Sequence, residues 1–282
     1  MIAFRFDIDT RRGLVERVPP LLDLLDEFGV RATFFCVMGR EANPYEILRL
    51  RLLAKRSEKS PLNVGAKGGP ARVIRAAVFP RAVGHRNPSL LREIVRRGHE
   101  LQPHGWSHIQ WQRNLDGIDV ERHLRRSLTH YERIMGSPAI GFASPGRSWN
   151  ASALLAFDDA GLTYVGDMDG DQPFRPAGFR HLQLPITRFE TIAQMRQRGL
   201  DDEGIAATYL DDIETNPSYC CLYEHPDDVD DAGLRVLAQL FRALKQRGTT
   251  ATAVTLAEVA AAVKDTAPVY RAETARPVHR AQ

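Results

Sequence analysis

The chain has 282 residues, of which 43% are hydrophobic and 26% are charged. This composition is ordinary for a soluble globular protein and excludes a wholly disordered chain. Lys and Arg number 38 against 35 Asp and Glu, a formal net charge of +3. The chain as a whole therefore offers no electrostatic basis for binding nucleic acid.

Short apolar runs alternate with amphipathic helical patterns along most of the chain. The first run, 2–6, precedes a helical pattern at 19–28 that ends at Gly29, and a run rich in aromatic and β-branched residues follows at 30–38. Further helices are predicted at 87–98, 119–135, 150–161, 234–248 and from 255 onward. Further strands are predicted at 100–102, 139–143, 163–166, 182–186, 219–223 and 251–254.

Repeated β-α units of this kind predict a mainly parallel sheet with helices outside it. About eight strands favour a single α/β barrel over an open sheet, and functional groups are then expected at the C-terminal ends of the strands. The barrel is predicted to span residues 1–264. The remaining residues, 265–282, are expected to form a flexible tail.

The segment 40–84 interrupts this rhythm. It carries ten Lys and Arg residues against three acids, a local charge of +7, together with a group of leucines near its start. An apolar stripe with basic flanks is typical of a surface element that lies on anionic lipid. A solvated basic insertion that packs its leucines on the barrel explains the pattern equally well.

The ends of the chain and its cysteines bear on location. No apolar stretch approaches the roughly 18 residues of a membrane span, and the first residues contain no apolar signal-peptide core because Arg5 and Asp7 interrupt them. We therefore expect a cytoplasmic protein. Cys36, Cys220 and Cys221 lie in apolar runs, which predicts reduced buried thiols rather than a disulfide framework.

Two histidines, His104 and His108, follow directly on the predicted strand at 100–102. A spacing of four residues would let one helical turn direct both imidazoles at a common point. An isolated pair of this kind also occurs on ordinary protein surfaces, so a metal site requires a third ligand.

Asp7 and Asp9 stand at the end of the first predicted strand. Side chains two apart on an extended strand point the same way. A helix cap is the alternative, but Arg11, Arg12 and Gly13 precede any helix, and a cap does not need two acids. Two histidines and one carboxylate form a facial set that accepts Zn, Fe, Co, Ni or Mn, and the second acid could then act as a base on metal-bound water.

His225 follows a late apolar strand. Taken alone, it is more typical of a structural histidine. At the same barrel mouth as a metal ion, it would be a suitable general acid for a leaving amine.

Together, the segments 7–9, 104–108 and 225–226 resemble the polysaccharide deacetylase family, which contains the NodB homology domain. The resemblance implies a distorted TIM-like (β/α)7–8 barrel that removes N- or O-acyl groups with a divalent metal ion, usually zinc. It also implies roles for five residues: the metal ligands Asp9, His104 and His108, the base Asp7 and the acid His225.

Four further segments, at 5–13, 83–87, 173–176 and 184–187, are similar to the branch of this family that deformylates 4-deoxy-4-formamido-L-arabinose-phosphoundecaprenol. That likeness implies an undecaprenyl-phosphate-linked amino sugar as substrate and a role in lipid A modification and polymyxin resistance. It also implies peripheral contact with the cytoplasmic face of the inner membrane. The alternatives are a deacetylase of peptidoglycan or chitin oligosaccharides, and a metal-free relative that binds carbohydrate or lipid.

The segment 142–147 departs from the family because it lacks the usual Arg-x-x-Pro motif. Arg147 is the candidate to reach, from a shifted position, the carboxylate that the arginine of that motif would contact. Asp167 either orients His225 or is a turn acid. His85 and Arg175 are candidates for contacting the sugar or phosphate. The acids at 227–231 predict a solvated loop and helix cap rather than a second metal site.

Overall fold

The computed structural model describes residues 1–41, 81–249 and 253–271. Most of the basic insertion predicted at 40–84 lies at 42–80, outside the described residues, so both of its predicted placements stay open. Among the described helices, none has both the length and the apolar character that crossing a bilayer requires.

Strands and α-helices follow one another along the described ranges. The strands are β1 (Ile2–Ile8), β2 (Thr33–Cys36), β3 (Glu100–Pro103), β4 (Gly141–Phe142), β5 (Tyr164–Val165), β6 (Arg175–Pro176), β7 (Leu182–Gln183), β8 (Cys220–Glu224), β9 (Ala253–Val254) and β10 (Val269–Tyr270). The α-helices are α1 (Val18–Phe28), α2 (Pro88–Arg96), α3 (His108–Asn114), α4 (Val120–Met135), α5 (Ala151–Asp159), α6 (Ile192–Gln197), α7 (Asp202–Thr215), α8 (Asp231–Gln246) and α9 (Leu256–Val263).

The main sheet has the order β3-β2-β1-β8, with β9 paired to the start of β1, and every pairing in it is parallel. A second parallel sheet has the order β4-β5-β7. Backbone hydrogen bonds join the two sheets at both seams, from Ala143 N to Pro103 O at 3.4 Å and from Thr187 N to Cys221 O at 3.1 Å. Seven strands therefore follow one another around a distorted α/β barrel, and the predicted fold class is confirmed.

Helices cover the outside of the barrel, as the apolar stripes predict. In α1, Leu21, Leu22 and Leu25 are buried, and burial of each such side chain contributes about 1.5–3 kcal/mol. The helix ends where Gly29 adopts a left-handed φ of 65°, a conformation that glycine reaches without a steric penalty. On α8, Phe241 packs edge-on against Phe4 of β1, with 5.1 Å between the ring centroids.

The first part of the predicted tail contacts the barrel. Val269–Tyr270 form β10, which pairs in parallel with β6. Arg175 N donates to Pro268 O at 2.8 Å, and the rings of Tyr270 and Phe174 lie 5.4 Å apart. Residues 272–282 lie outside the described residues, and the flexible tail stays a prediction.

The C-terminal ends of the barrel strands meet at one mouth. Asp9 follows β1, His104 follows β3, Ser144 stands two residues after β4, Asp167 stands two after β5, and His225 follows β8. The parallel arrangement thus gathers polar residues from five separate parts of the chain, as expected for a barrel of this type.

Candidate metal centre

Three side chains converge at this mouth. Potential ligand atoms of Asp9, His104 and His108 all lie within 4.8 Å of one another. The Asp9 carboxylate bridges the two imidazoles, with Oδ1 3.3 Å from His104 Nε2 and Oδ2 3.3 Å from His108 Nε2. The structure therefore brings together the three residues predicted as metal ligands.

A tight turn, not a helical turn, brings the two histidines together. His104 directly follows β3, whereas His108 is the first residue of α3. Between them Gly105 adopts a left-handed φ of 76°, and a Cβ there would lie 3.2 Å from Pro145. The sequence expectation of one helical turn is corrected, because this backbone leaves the helical region immediately after His104.

The surroundings of the three side chains fit a divalent cation. His104 Nδ1 donates to Ala143 O at 2.7 Å, so the Nε2 lone pair faces Asp9, as second-shell carbonyls commonly arrange for metal-binding imidazoles. Asp9 Oδ1 is buried and has no hydrogen-bond partner among the described residues, which is costly for an acceptor without a ligand. Two imidazole nitrogens and a carboxylate are ligands that zinc and related ions accept.

Asp7 stands beside this cluster, and a buried arginine that the sequence analysis missed orients it. Arg5 Nε donates to Asp7 Oδ1 at 2.8 Å and Arg5 Nη2 donates to Asp7 Oδ2 at 2.7 Å, while Nη1 donates to Gly166 O at 2.7 Å. Asp7 Oδ2 lies 3.7 Å from His104 Nε2. Burial by itself raises the pKa of Asp7, but the Arg5 charge, the neighbouring His104 and the Arg5 hydrogen bonds together outweigh burial and hold that pKa below its ordinary value.

A signal for Arg5 was present in the sequence. Arg5 lies two positions before Asp7 on a strand that is buried along its whole length. Residues two apart on a strand share a face, and a buried arginine is rare unless it is paired. An arginine inside the first apolar run therefore predicts a partner carboxylate on the same face.

His225 lies on the other flank of the cluster. Its Nε2 atom is 3.4 Å from Asp9 Oδ2 and 2.7 Å from the Tyr223 hydroxyl oxygen, with which it forms a hydrogen bond. His225 Nδ1 is 3.9 Å from Asp228 Oδ2. The sequence analysis missed Tyr223. Its position on β8, two residues before His225, is the signal that could have identified it.

Asp167 and Arg147 do not take the positions suggested for them. Asp167 accepts hydrogen bonds from Ser144 N at 2.6 Å and from the Ser144 hydroxyl, so it holds the loop after β4 instead of orienting His225. Burial raises the pKa of Asp167 to about 6. Arg147 donates to Asp169 Oδ1 at 2.7 Å, whereas Arg5 is the arginine that pairs with Asp7.

The two candidates for sugar or phosphate contacts lie far apart. Arg175 donates to Lys264 O at 2.9 Å. It also lines a cavity with Gly161 and Thr163, two residues that precede β5. It therefore lies at the opposite end of the barrel from Asp9, and its predicted role is corrected. His85 lies at the mouth, where its ring centroid is 5.4 Å from that of Trp106.

Trp111 and the acidic cluster at 227–231 have structural roles. Trp111 is fully buried and donates from Nε1 to Ser148 O at 2.9 Å, so it belongs to the core. In the acidic cluster, Asp230 accepts from Gly233 N at 3.0 Å and caps α8, as the sequence predicts. Asp227 accepts a hydrogen bond from Thr10 Oγ1.

Comparisons with known proteins show the same relationship in sequence and in fold. A relative from Shewanella sediminis (strain HAW-EB3), named as a probable 4-deoxy-4-formamido-L-arabinose-phosphoundecaprenol deformylase ArnD, is 24% identical over 190 residues. These residues are 66% of this chain and 62% of the relative, so the match spans less than two thirds of the relative's length.

Solved structures share the fold at low sequence identity. A Mycobacterium smegmatis protein described as a polysaccharide deacetylase aligns with a TM-score of 0.62 and 20% identity, covering 100% of this chain and 93% of that one. A Pseudomonas aeruginosa PAO1 protein described as a probable polysaccharide deacetylase aligns with a TM-score of 0.60 and 16% identity, covering 89% of each chain. The sequence model of the polysaccharide deacetylase family matches residues 1–165, which is more than half of the 282 residues, and the chain therefore belongs to the polysaccharide deacetylase family.

Proposed function

We propose that this chain is a metal-dependent amide hydrolase that removes the formyl group from 4-deoxy-4-formamido-L-arabinose carried on undecaprenyl phosphate. The products are formate and the 4-amino sugar lipid used in lipid A modification, which gives polymyxin resistance. One observation carries the hydrolytic part: the Asp9 carboxylate lies within 3.4 Å of three imidazoles while a second carboxylate, Asp7, stands beside them. The name of the Shewanella relative supports the substrate.

Asp9, His104 and His108 would hold the ion, most simply Zn²⁺, with Fe, Co, Ni or Mn as alternatives. When bound, such an ion supplies a water molecule of lowered pKa and a positive charge that polarises the amide carbonyl. The carbonyl accepting the Nδ1 proton of His104 keeps that ring in the tautomer that a ligand needs.

Asp7 acts as the general base. Arg5 engages both of its carboxylate oxygens, so the carboxylate cannot rotate away, and the lowered pKa keeps it ionised at neutral pH. Asp7 removes a proton from the attacking water as the new C–O bond forms. Positioned general bases of this kind contribute about 10²–10⁴-fold to the rate.

His225 acts as the general acid. As the C–N bond breaks, the sugar nitrogen must gain a proton to leave as a neutral amine, and a protonated imidazole can donate it. Tyr223 holds the Nε2 side of that imidazole in place through its 2.7 Å hydrogen bond. The formyl carbon keeps the water oxygen and leaves as formate.

The proposed location follows from the proposed substrate. An undecaprenyl phosphate lipid lies in the inner membrane, so we place this protein peripherally on the cytoplasmic face of that membrane. Contact with anionic lipid there would add about 1 kcal/mol for each nearby Lys or Arg.

The second candidate function is removal of an acetyl group from an N-acetyl sugar polymer such as peptidoglycan or chitin oligosaccharide. It is favoured by the family to which the chain belongs. The same base, acid and ligands would serve either acyl group. A metal-free binding protein is disfavoured, because Asp9 Oδ1 would then stay buried without a hydrogen-bond partner in the described ranges.

Mass spectrometry of products separates these candidates. Zinc-loaded protein is incubated in parallel with the formamido-arabinose lipid and with an N-acetylglucosamine oligomer, and Asp7→Asn serves as the inactive control. We expect a loss of 28 mass units from the lipid by deformylation, roughly the mass of CO, and no change in the oligomer. Acetate from the oligomer with intact lipid would overturn the proposed substrate, and no product from either would overturn the hydrolase.

A further inference from the structure

A second cluster of side chains lies at the rim of the mouth, outside the residues around Asp9. Trp106 is its centre. The guanidinium of Arg126, from α4, lies 3.9 Å from the centroid of the Trp106 ring. The rings of His130 and His85 lie 4.6 Å and 5.4 Å from that ring, measured between centroids.

Backbone contacts tie this cluster to the loop that carries the metal ligands. Met38 N donates to Gly105 O at 2.9 Å, and His85 N donates in turn to Met38 O at 2.9 Å. Gly39 permits the close approach of Trp106, because a Cβ at position 39 would lie 2.0 Å from the Trp106 carbonyl oxygen. The arrangement is therefore built into the backbone and does not depend on flexible side chains alone.

The cluster holds a cation without a counter-charge. Over the ranges that the structure covers, no carboxylate forms an ion pair with Arg126, whereas its neighbour Arg125 pairs with Glu121. An arginine held in place in this way favours an anionic ligand.

The hydrogen-bonding groups left free suit a phosphate. His85 Nδ1 donates to Met38 O and Gly39 O at 3.0 Å and 3.1 Å, and His130 Nδ1 donates to Arg126 O at 2.9 Å. The Nε2 atoms of both rings therefore remain for a ligand. The Arg126 guanidinium stacks on an aromatic ring and keeps its N–H edge for paired hydrogen bonds to an oxyanion.

We propose that Arg126, His85, His130 and Trp106 form a phosphate-binding site beside the metal centre. Arg126 supplies the charge, and the two imidazoles donate hydrogen bonds from Nε2 to the remaining oxygens in the form in which both ring nitrogens carry a proton. Assigning this phosphate to the lipid-linked sugar rests on the proposed function. The same chemistry would bind the phosphate of an anionic membrane lipid.

Inorganic phosphate is the first probe. It is titrated into the zinc-loaded protein while the histidine ring signals are followed by NMR, for the wild type, Arg126→Gln and the matched control Arg122→Gln. Arg122 lies one turn earlier on α4, whereas Arg126 is the arginine that stacks on the Trp106 ring. We expect the His85 and His130 signals to move in the wild type and the control, with the Kd raised about 10- to 100-fold in Arg126→Gln, as for loss of one charge-assisted hydrogen bond.

Three results would overturn the site. They are no phosphate-dependent shift, equal affinity in the two variants, and shifts confined to His104 and His108, which would mean that phosphate binds only the metal. Because this readout needs no turnover, it stands even if the deformylase assay fails.

Two further arms identify the source of the phosphate. With the formamido-arabinose lipid, a substrate subsite predicts that Arg126→Gln raises KM about tenfold with kcat unchanged, relative to Arg122→Gln. A membrane subsite predicts an unchanged KM for a short-chain, water-soluble form of the lipid together with weaker binding of Arg126→Gln to phosphatidylglycerol vesicles. Failure of both arms would overturn any role of the site in lipid recognition.

Discussion

Two carboxylates at opposite ends of the barrel have hydrogen-bond networks of opposite character. At the start of β3, Glu100 accepts four hydrogen bonds, from Tyr164 Oη at 2.6 Å, Gln102 Nε2 at 3.0 Å, Thr33 Oγ1 at 2.9 Å and Ala257 N at 2.9 Å. At the mouth, Asp9 Oδ1 accepts none among the described residues.

This difference separates a structural network from a functional one. The donors around Glu100 come from β2, β3, β5 and α9, so that carboxylate joins distant parts of the barrel and leaves no acceptor unused. Buried carboxylates that are left incompletely satisfied are costly, and folds retain them where a ligand completes the site. Variants at the two ends should therefore fail in different ways.

The largest effect is expected for Asp7→Asn at the mouth. Loss of the general base should lower kcat by about 10²–10⁴-fold, while Asp9, His104 and His108 keep their metal. Steady-state kinetics and elemental analysis of bound zinc on the same sample test this pair of outcomes. A variant that loses zinc in proportion to activity would instead make Asp7 a ligand.

Arg5→Gln should have the next largest effect, because it leaves Asp7 buried without its charged partner. We expect kcat to fall about 10–100-fold, as for removal of other outer-shell partners. The pKa of Asp7 should rise, so the base is protonated up to a higher pH and the acid limb of the kcat/KM profile moves to higher pH. A pH–rate profile measures this shift.

Arg5→Lys is the matched control for charge. It keeps a cation but loses the paired hydrogen bonds, so it should restore the position of the acid limb more than the rate. If Arg5→Gln lowers the rate without moving the limb, Arg5 acts on folding and not on Asp7.

Glu100→Gln tests the end of the barrel opposite the mouth. The new NH₂ group would face either the Thr33 hydroxyl and Ala257 N–H or the Tyr164 hydroxyl and Gln102 Nε2. In either orientation at least one donor loses its acceptor. We expect the free energy of unfolding to fall by about 1–3 kcal/mol with kcat unchanged. Urea unfolding and the deformylase assay together check this, and a large loss of activity would contradict the structural role.

The smallest effect is expected at Glu224, which is intermediate between the two networks. Its Oε1 atom accepts hydrogen bonds from Ile192 N at 2.7 Å and from the Tyr209 hydroxyl, whereas Oε2 has no partner in the described part of the chain. Burial raises the pKa of Glu224 to about 8. The folded protein therefore keeps this group protonated at pH values where the unfolded chain has ionised it.

As the pH rises from about 5 to 8, the unfolded state loses its proton first, so the free energy of unfolding should fall over this range. Glu224→Gln, a neutral mimic of the protonated acid, should remove this part of the decline. Urea unfolding of both proteins at pH 5, 6, 7 and 8 measures the difference. Parallel stability curves would show that Glu224 ionises normally.

Local patterns in the sequence were sufficient for the element order and the central residues of the site. Alternating strand and helix patterns predict a parallel barrel, and a parallel barrel places the ends of its strands at one mouth. Asp9, His104 and His225 each follow a strand directly, so their convergence follows from topology alone.

The tertiary structure alone decided the pairing of these groups. Arg5 rather than Arg147 engages Asp7, Asp167 holds Ser144, Arg175 lies at the far end of the barrel, and Val269–Tyr270 complete a sheet. Spacing along a chain reports the direction of a side chain within its own element. The partner that a charged group meets depends instead on how elements separated by over a hundred residues pack. A charged group that is buried there is stable only when it is closely paired.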